Sequence, residues 1–273
     1  MGLILLLTQL AVTTPAAAPN ASPLLQRVAW QLADFVILGD STYGVQLLAS
    51  PNLRSEQGRE RVATTSLSLD PAVAHHWASG VAKIVDSVSH LSKNERKVFE
   101  TVPLATNLGA GRLFVAFDGK GSERQPFAFV VNDGPQSWWV PVSNKELQHL
   151  FSALDTIASH SSVTLAPVAA ESAPRALLVC QLDQRPEPIE QARLVHPDNF
   201  LALGRNARVL ARYVIDTSGV IAPANIRIVL TDGKAFTKEV EQTLLNSRYR
   251  PGRKDGRAVD TVVWQWFVFY TTR

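Results

Sequence analysis

The stretch that decides the fold of the C-terminal part is Ala207-Arg-Val-Leu-Ala-Arg-Tyr-Val-Ile215. Its residues alternate with the two-residue period of a β-strand. Asp216-Thr217-Ser218-Gly219 follows directly, and these residue types favour a tight turn. The sequence therefore predicts a strand that ends in a reversal of the chain.

The residues after this turn predict a second strand and then a helix. Val220–Leu230 is expected to be the strand, with Ile226, Ile228 and Leu230 on one face. After Asp232-Gly233, apolar residues recur at the four-residue spacing of a helix, and they are Phe236, Val240 and Leu244.

The last predicted element is one long strand over Val259–Tyr270, which is rich in aromatic and β-branched residues. Successive side chains of a strand point to opposite faces. We expect the helix to cover the face with Phe267 and Phe269. The opposite face carries Trp264 and Trp266, and we expect the N-terminal part, a second copy or a partner to cover it, because tryptophans are large apolar groups.

This C-terminal part resembles the C-terminal domain of TonB-family energy transducers over about 90 residues. The matching motifs occur in the order of that family, with His196 standing where the family usually has tyrosine. They are Arg185-Pro186, His196-Pro197, Asn206–Val209, Tyr213–Gly219, Phe236, Arg248-Tyr249-Arg250-Pro251, Gly256 and Phe267-Val268-Phe269.

The resemblance implies an α+β fold: a β-β-α-β two-layer module in which one helix packs on an antiparallel sheet. It also implies a periplasmic location and a protein partner in the cell envelope, linked to TonB-dependent transport across the outer membrane. The partner would bind by strand addition at the last strand or by packing on its sheet face. The expected partner-binding residues are Val262, Trp264, Gln265, Trp266, Val268 and Tyr270. A homodimer is the alternative assembly.

The N-terminus departs from that family, whose members have a membrane helix followed by a long proline- and lysine-rich spacer. Here the first apolar stretch covers Leu3–Leu7 and Leu10–Val12, and small residues follow it. This pattern predicts a signal peptide over residues 1–18 and export to the periplasm, although no basic residue precedes Leu3. A short uncleaved anchor or a buried strand is the alternative. A membrane-anchored transducer with an upstream start is the second functional hypothesis.

The remaining chain divides into a body over residues 24–163, a linker over 164–175 and the module over 176–273. The linker is assigned to the alanine- and proline-rich stretch Ala166–Pro174. The sequence of the body predicts two α+β units, each a strand meander followed by a helix. Asp70-Pro71 begins the first helix, and a capping box of Ser143 and Glu146 begins the second. The apolar stripe of the second helix is Leu147, Leu150, Phe151, Leu154 and Ile157.

One segment resembles the nucleophile block of GDS-type esterases, in which a serine follows an apolar strand. It is Phe35–Ser41, with the sequence Phe-Val-Ile-Leu-Gly-Asp-Ser. That family needs a histidine base with an aspartate three residues before it, and no Asp-x-x-His occurs in this sequence. The alternative interpretation is a turn between two strands. The sequence therefore favours a non-enzymatic protein over an esterase.

Metal, cofactor and nucleic-acid functions have little support in the sequence. Cys180 is the single cysteine, and the adjacent His75 and His76 would point in different directions on a helix. Residues 200–273 hold 12 basic and 6 acidic residues, so a basic module follows a mildly acidic body. No nucleic-acid-binding motif accompanies that charge. We therefore expect no metal, no cofactor and no nucleic acid, and a protein partner instead.

Overall fold

The computed structural model combines α and β elements, with strands predominating and antiparallel sheets, as the predicted α+β class requires. The predicted signal peptide and the predicted linker lie outside the described residues. The structure describes residues 24–40, 43–54, 64–69, 71–72, 74–76, 78–80, 96–106, 109–118, 127–133, 136–160, 176–197, 200 and 203–271.

The body contains one eight-stranded sheet in which each strand pairs antiparallel with the next along the chain. Residues 71–72, 74–76 and 78–80 are helical (α1) and separate the first four strands from the last four. The two predicted meanders therefore join into a single sheet through Leu67 and Ser68 of β4 and residues 105–106 of β5. The strands are β1 (Leu24–Ala29), β2 (Ala33–Asp40), β3 (Gly44–Pro51), β4 (Thr65–Leu69), β5 (Arg96–Thr106), β6 (Gly109–Asp118), β7 (Phe127–Asp133) and β8 (Gln136–Val142).

Helix α2 (Asn144–Ser159) follows the sheet and packs on β1 and β2. The predicted capping box is present: the Glu146 N–H donates to Ser143 Oγ at 3.2 Å, and the Ser143 N–H donates to the Glu146 carboxylate at 2.8 Å. The whole predicted apolar stripe is buried against the sheet. This helix and one sheet face form the core of the body.

The sheet is buried on both faces at β2 and β3, and all eight residues of β3 are buried. Phe35 and Ile37 face the helix-side core, whereas Val36 and Leu38 face the C-terminal module. Because β2 and β3 are buried on both faces, their sequences are almost continuously apolar instead of alternating between apolar and polar residues. A turn at residues 30–32, closed by the Trp30 N–H donating to Ala33 C=O at 2.7 Å, separates β1 from β2.

The module holds a four-stranded sheet in the order β12-β11-β16-β9 and two small antiparallel ribbons, β10–β13 and β14–β15. Helix α3 (Lys234–Leu245) contacts β11 and β12. The strands are β9 (Leu177–Leu178), β10 (Glu187–Glu190), β11 (Ala207–Ile215), β12 (Ile226–Thr231), β13 (Arg248–Arg250), β14 (Gly252–Lys254), β15 (Arg257–Val259) and β16 (Thr261–Phe269).

Side chains of α3 and the sheet form the helix-side core of the module. As predicted, Phe236, Val240 and Leu244 are buried, and they pack in one cluster with Phe267 and Phe269. The turn after β11 also forms as predicted, with Gly219 at a positive φ of 82°. The Gly219 N–H donates to Asp216 C=O at 2.9 Å.

Two sequence expectations need correction. The second strand of the module is shorter than predicted, because a 3-10 turn occupies Pro223–Asn225. A β-bulge, in which Leu210 pairs with Leu230 but Ala211 pairs with Ile228, moves Leu230 away from the face of Ile226 and Ile228.

The last strand is also shorter, since Val259 belongs to the β14–β15 ribbon and β16 begins at Thr261. Strand β9 is only two residues long, and a 3-10 turn over Val179–Gln181 follows it.

Candidate partner-binding site

The tryptophan face of β16 packs against the body of the same chain. Val262, Trp264 and Trp266 are only 1%, 2% and 5% exposed. They share one cluster with apolar side chains from β2, β3 and the turn between them: Val36, Leu38, Tyr43 and Leu48. Of the three occupants expected for this face, the structure therefore shows the N-terminal body.

This packing changes the interpretation of the predicted partner-binding residues. Sheet-face packing by a partner would require the side chains of Val262, Trp264 and Trp266, and the body already buries them. Gln265 points to the other face, where its Oε1 accepts a 2.6 Å hydrogen bond from the Tyr213 hydroxyl. Val268 is half-buried, and Tyr270 is 40% exposed. Only the end of the predicted set thus reaches the surface.

Buried charges also join the two parts. Arg208 of β11 is 3% exposed, and its Nη1 lies 2.5 Å from Oδ2 of Asp34, which is 2% exposed. The same Nη1 donates to Ser50 Oγ at 2.9 Å, and Arg27 Nη2 donates to Asp34 Oδ2 at 3.1 Å. A buried ion pair of this kind fixes one arrangement of the two parts, because separating it would leave a charge without a counterion.

A second arginine of β11 lies among aromatic rings at the same interface. The guanidinium carbon of Arg212 is 5.1 Å from the ring centroid of Tyr43 and 5.4 Å from that of Trp264. The two rings meet edge to face at 5.4 Å, and the Tyr43 hydroxyl donates to Ala176 C=O at 3.2 Å. These geometries are favourable for cation–π and aromatic contacts.

The sequence interpretation did not identify Asp34, Arg208 or Arg212. A signal was present, because Asp34 is a charged residue inside an apolar run. Arg208 and Arg212 also alternate with Leu210 and Val214 on one face of a predicted strand. Charges at such positions are buried only when they are paired.

The edge of β16 offers a different kind of site from its faces. The N–H and C=O groups of one residue point to one edge of a strand, and those of the next residue point to the other edge. Asp260 C=O accepts from the Leu177 N–H at 2.8 Å, so the even-numbered residues point outward, away from β11. Strand β9 pairs only with Thr261 and Val262. Within the described ranges, no strand pairs with the outer edge beyond Val262.

Trp266 and Val268 direct their backbone groups to this outer edge, where no strand of the described residues pairs with them. Trp266 is 5% exposed and Val268 is half-buried, so the accessible part of the edge lies at Val268. On the other side, β16 pairs continuously with β11 from Thr261 to Phe269, without a bulge. Such a regular, one-sided ladder is a template on which another strand can form hydrogen bonds.

Two groups of β11 and its turn have shifted pKa values. The Ser218 hydroxyl, which donates to Asp216 Oδ1 at 2.6 Å, holds the pKa of Asp216 below its ordinary value, and backbone N–H groups act in the same direction. Burial raises the pKa of Tyr213 well above its ordinary value. Asp216 lies in the turn that follows β11, and Tyr213 lies in the core of the module.

The segment that resembles an esterase block runs along β2, and residues 41–42 lie outside the described part of the chain. Asp40 pairs with Gly44 across the hairpin, in agreement with the turn interpretation. His75 and Asp155 form an exposed pair, with 2.7 Å between Nδ1 and Oδ1. Among the described residues, no group of three histidine, cysteine or acidic side chains is placed to bind a metal ion.

In comparisons with known proteins, no family model and no curated protein matches the chain. None of the helices in the described ranges is long and apolar enough to cross a membrane.

Proposed function

We propose that this chain is an exported, non-enzymatic protein of the cell envelope. Its C-terminal module binds a protein partner by strand addition at the end of the outer edge of β16, around Val268. The observation that carries this proposal is the ladder of β16, which is paired with β11 throughout but with β9 only at Thr261 and Val262. Main-chain hydrogen bonds supply affinity in this mode of binding, and neighbouring side chains supply selectivity.

Further support comes from the arrangement of the module. One helix covers one face of an antiparallel sheet in the order β12-β11-β16, and this agrees with a two-layer module of the TonB C-terminal type. Two of the resembling motifs lie in this sheet: Tyr213–Gly219 forms the end of β11 and its turn, and Phe267–Phe269 forms the end of β16. A link to TonB-dependent transport is part of the proposal and rests on that resemblance alone.

The body has a defined place in this proposal. It holds the module through the tryptophan face and through Asp34 and Arg208, so the edge of β16 is presented on a rigid support. A rigid edge binds with a smaller loss of conformational entropy than a mobile one. The body thus takes the place of a partner on the sheet face, and the end of the edge around Val268 stays available for binding.

Site-specific photo-crosslinking in a Gram-negative host tests the proposed edge. A photoreactive phenylalanine analogue at Tyr270, which directly follows β16 and is 40% exposed, should give a discrete crosslinked protein. The same analogue at Arg227, an exposed residue of the opposite edge strand β12, is the control and should not.

A substitution within the edge makes this test specific. Val268→Pro removes an outward N–H without removing a bond to β11, and it should abolish the crosslink from position 270, whereas Val268→Ala should retain it. Crosslinks of equal yield from positions 227 and 270, or a crosslink unaffected by Val268→Pro, would contradict strand addition. N-terminal sequencing of the periplasmic fraction tests export, since the mature chain should begin near residues 17–19.

A further inference from the structure

A groove of about 360 Å³ lies beside the ribbons of the module. It runs between the segment from Val179 to Glu187 and the residues Arg250 and Pro251. Its volume falls within the range of roughly 300–1,000 Å³ that is typical of ligand pockets. Val179, Leu182 and Pro251 give the groove an apolar part, and Gln184 and four charged side chains line the remainder. A ligand with one apolar group and one charged group would match this lining.

The two acidic side chains of the groove are already paired. Asp183 accepts hydrogen bonds from Lys254 Nζ at 2.8 Å and from the Asp255 N–H at 2.6 Å. The bond from Lys254 is the main reason that the pKa of Asp183 lies below its ordinary value. Glu187 accepts from Arg250 Nη1 at 2.7 Å. The negative charge of each carboxylate is therefore already compensated by a basic side chain of the protein.

The remaining charge of the groove is the guanidinium of Arg185. It is exposed and forms no hydrogen bond or ion pair with any residue in the described ranges. The two segments around the groove, residues 183–190 and 248–257, carry six basic and four acidic residues, a net charge of +2. Such a surface attracts anions, and the planar guanidinium binds carboxylates with two parallel hydrogen bonds.

We propose that this groove binds a carboxylate flanked by an aliphatic side chain, as presented by an acidic peptide segment of a protein partner. The carboxylate pairs with Arg185, and the aliphatic side chain contacts Leu182 and Pro251. An internal glutamate or aspartate and a free C-terminus both present this chemistry. The groove approaches the start of β16, because Gly252 is packed between Leu182 and Thr261.

This site is separate from the proposed strand addition, which uses backbone groups near Val268. The two proposals can therefore fail independently. Val268→Pro should leave peptide binding in the groove unchanged, and loss of the groove should leave the edge of β16 intact.

Fluorescence anisotropy on the full-length chain tests the groove with three labelled peptides. The first is Gly-Ala-Leu-Glu-Ala-Leu with an amidated C-terminus, and the second has glutamine in place of glutamate. The third is the glutamine peptide with a free C-terminal carboxylate. We expect the first or the third to bind at least about fivefold more tightly than the second, since a charge-assisted bond distinguishes them. Comparing the affinities of the first and third peptides shows whether the groove binds an internal carboxylate or a free C-terminus.

Variants of the protein locate the binding. Arg185→Gln should weaken the preferred peptide about fivefold, and Arg185→Lys should weaken it less. Arg193→Gln, which removes another exposed arginine from outside the groove, should have no effect. Thermal unfolding of each variant verifies that it is folded.

Equal effects of Arg185→Gln and Arg193→Gln would overturn the proposal, because binding would then depend on net charge alone. Equal binding of the glutamate and glutamine peptides with amidated ends, without a gain from a free C-terminus, would also overturn it. Inorganic phosphate that competes as effectively as the peptide would assign the groove to small anions and would overturn the peptide ligand.

Discussion

Arg208 and Asp34 are the two residues that most directly fix how the body and the module fit together. Both side chains are almost completely buried, yet Asp34 Oδ1 and Arg208 Nε have no hydrogen-bond partner among the described residues. The polar contacts therefore offset only part of the cost of removing two charges from water. The pair specifies the arrangement, whereas the surrounding apolar side chains supply most of the stability.

Removing one charge of this pair should be strongly destabilising. Arg208→Met leaves Asp34 with only the partly exposed Arg27 as counterion, and we expect the free energy of unfolding to fall by about 3 kcal/mol in urea titrations. Asp34→Asn combined with Arg208→Met should restore part of that loss, since no charge then remains buried at this position.

An exposed ion pair provides the control. Arg250→Gln breaks the Glu187–Arg250 pair, in which both side chains are more than half exposed, and should cost less than about 1 kcal/mol. Similar losses for Arg208→Met and Arg250→Gln would contradict the assigned role of the buried pair.

Two glycines with the same backbone conformation should respond differently to substitution. Gly219 and Gly256 have φ values of 82° and 74°, so alanine is strained at both positions. A Cβ at Gly219 would lie 1.8 Å from Tyr249 O, whereas a Cβ at Gly256 would meet open space. We expect Gly256→Ala to lower the free energy of unfolding by about 1 kcal/mol and Gly219→Ala to lower it by at least about 2 kcal/mol more.

Thermal and urea unfolding of the two variants provide this comparison. Because both substitutions carry the same φ penalty, their difference isolates the collision with Tyr249. A larger loss for Gly256→Ala would show that the backbone of β13 does not approach the turn as closely as described.

At the level of single elements, the start of α2 has a testable energetic contribution. Ser143→Ala removes the acceptor for the Glu146 N–H at the N-terminus of the helix. We expect a loss of about 1 kcal/mol in the free energy of unfolding. Ser152→Ala, in an exposed position of the same helix, is the control and should be neutral or slightly stabilising, because alanine has the higher helix propensity.

For the whole molecule, the main consequence of the fold is that the module and the body share a core. Burial of Trp264 and Trp266 contributes roughly 8–12 kcal/mol as an upper estimate, at about 25 cal/mol per Å². This contribution is comparable with the net stability of a whole domain. The two predicted domains should therefore remain attached even when the connection between them is cut.

Limited proteolysis tests this expectation. First cuts between residues 165 and 175 should give two fragments that elute together in gel filtration without denaturant, because the tryptophan face holds them. Trp264→Ser combined with Trp266→Ser should weaken that association, and the fragments should elute separately. Separate elution of the unsubstituted fragments would mean that the shared core is not stable in solution.

Local sequence signals determined several elements of this protein. The alternation over Ala207–Ile215, the turn residues after it, the stripe of α3 and the capping box of α2 each depend on neighbours a few residues away. Backbone sterics and side-chain periodicity act over that range, so the sequence alone predicts them. The two faces of the last strand follow from the same alternation.

The tertiary structure alone decided what lies against each surface. The cover of the tryptophan face, the counterion of Arg208 and the pairing of β16 with β9 join segments that are far apart in the sequence. The bulge that redirects Leu230 likewise depends on the register between two strands. Such pairings depend on the shape and charge of surfaces that exist only after folding, and periodicity along the chain does not encode which surfaces will meet.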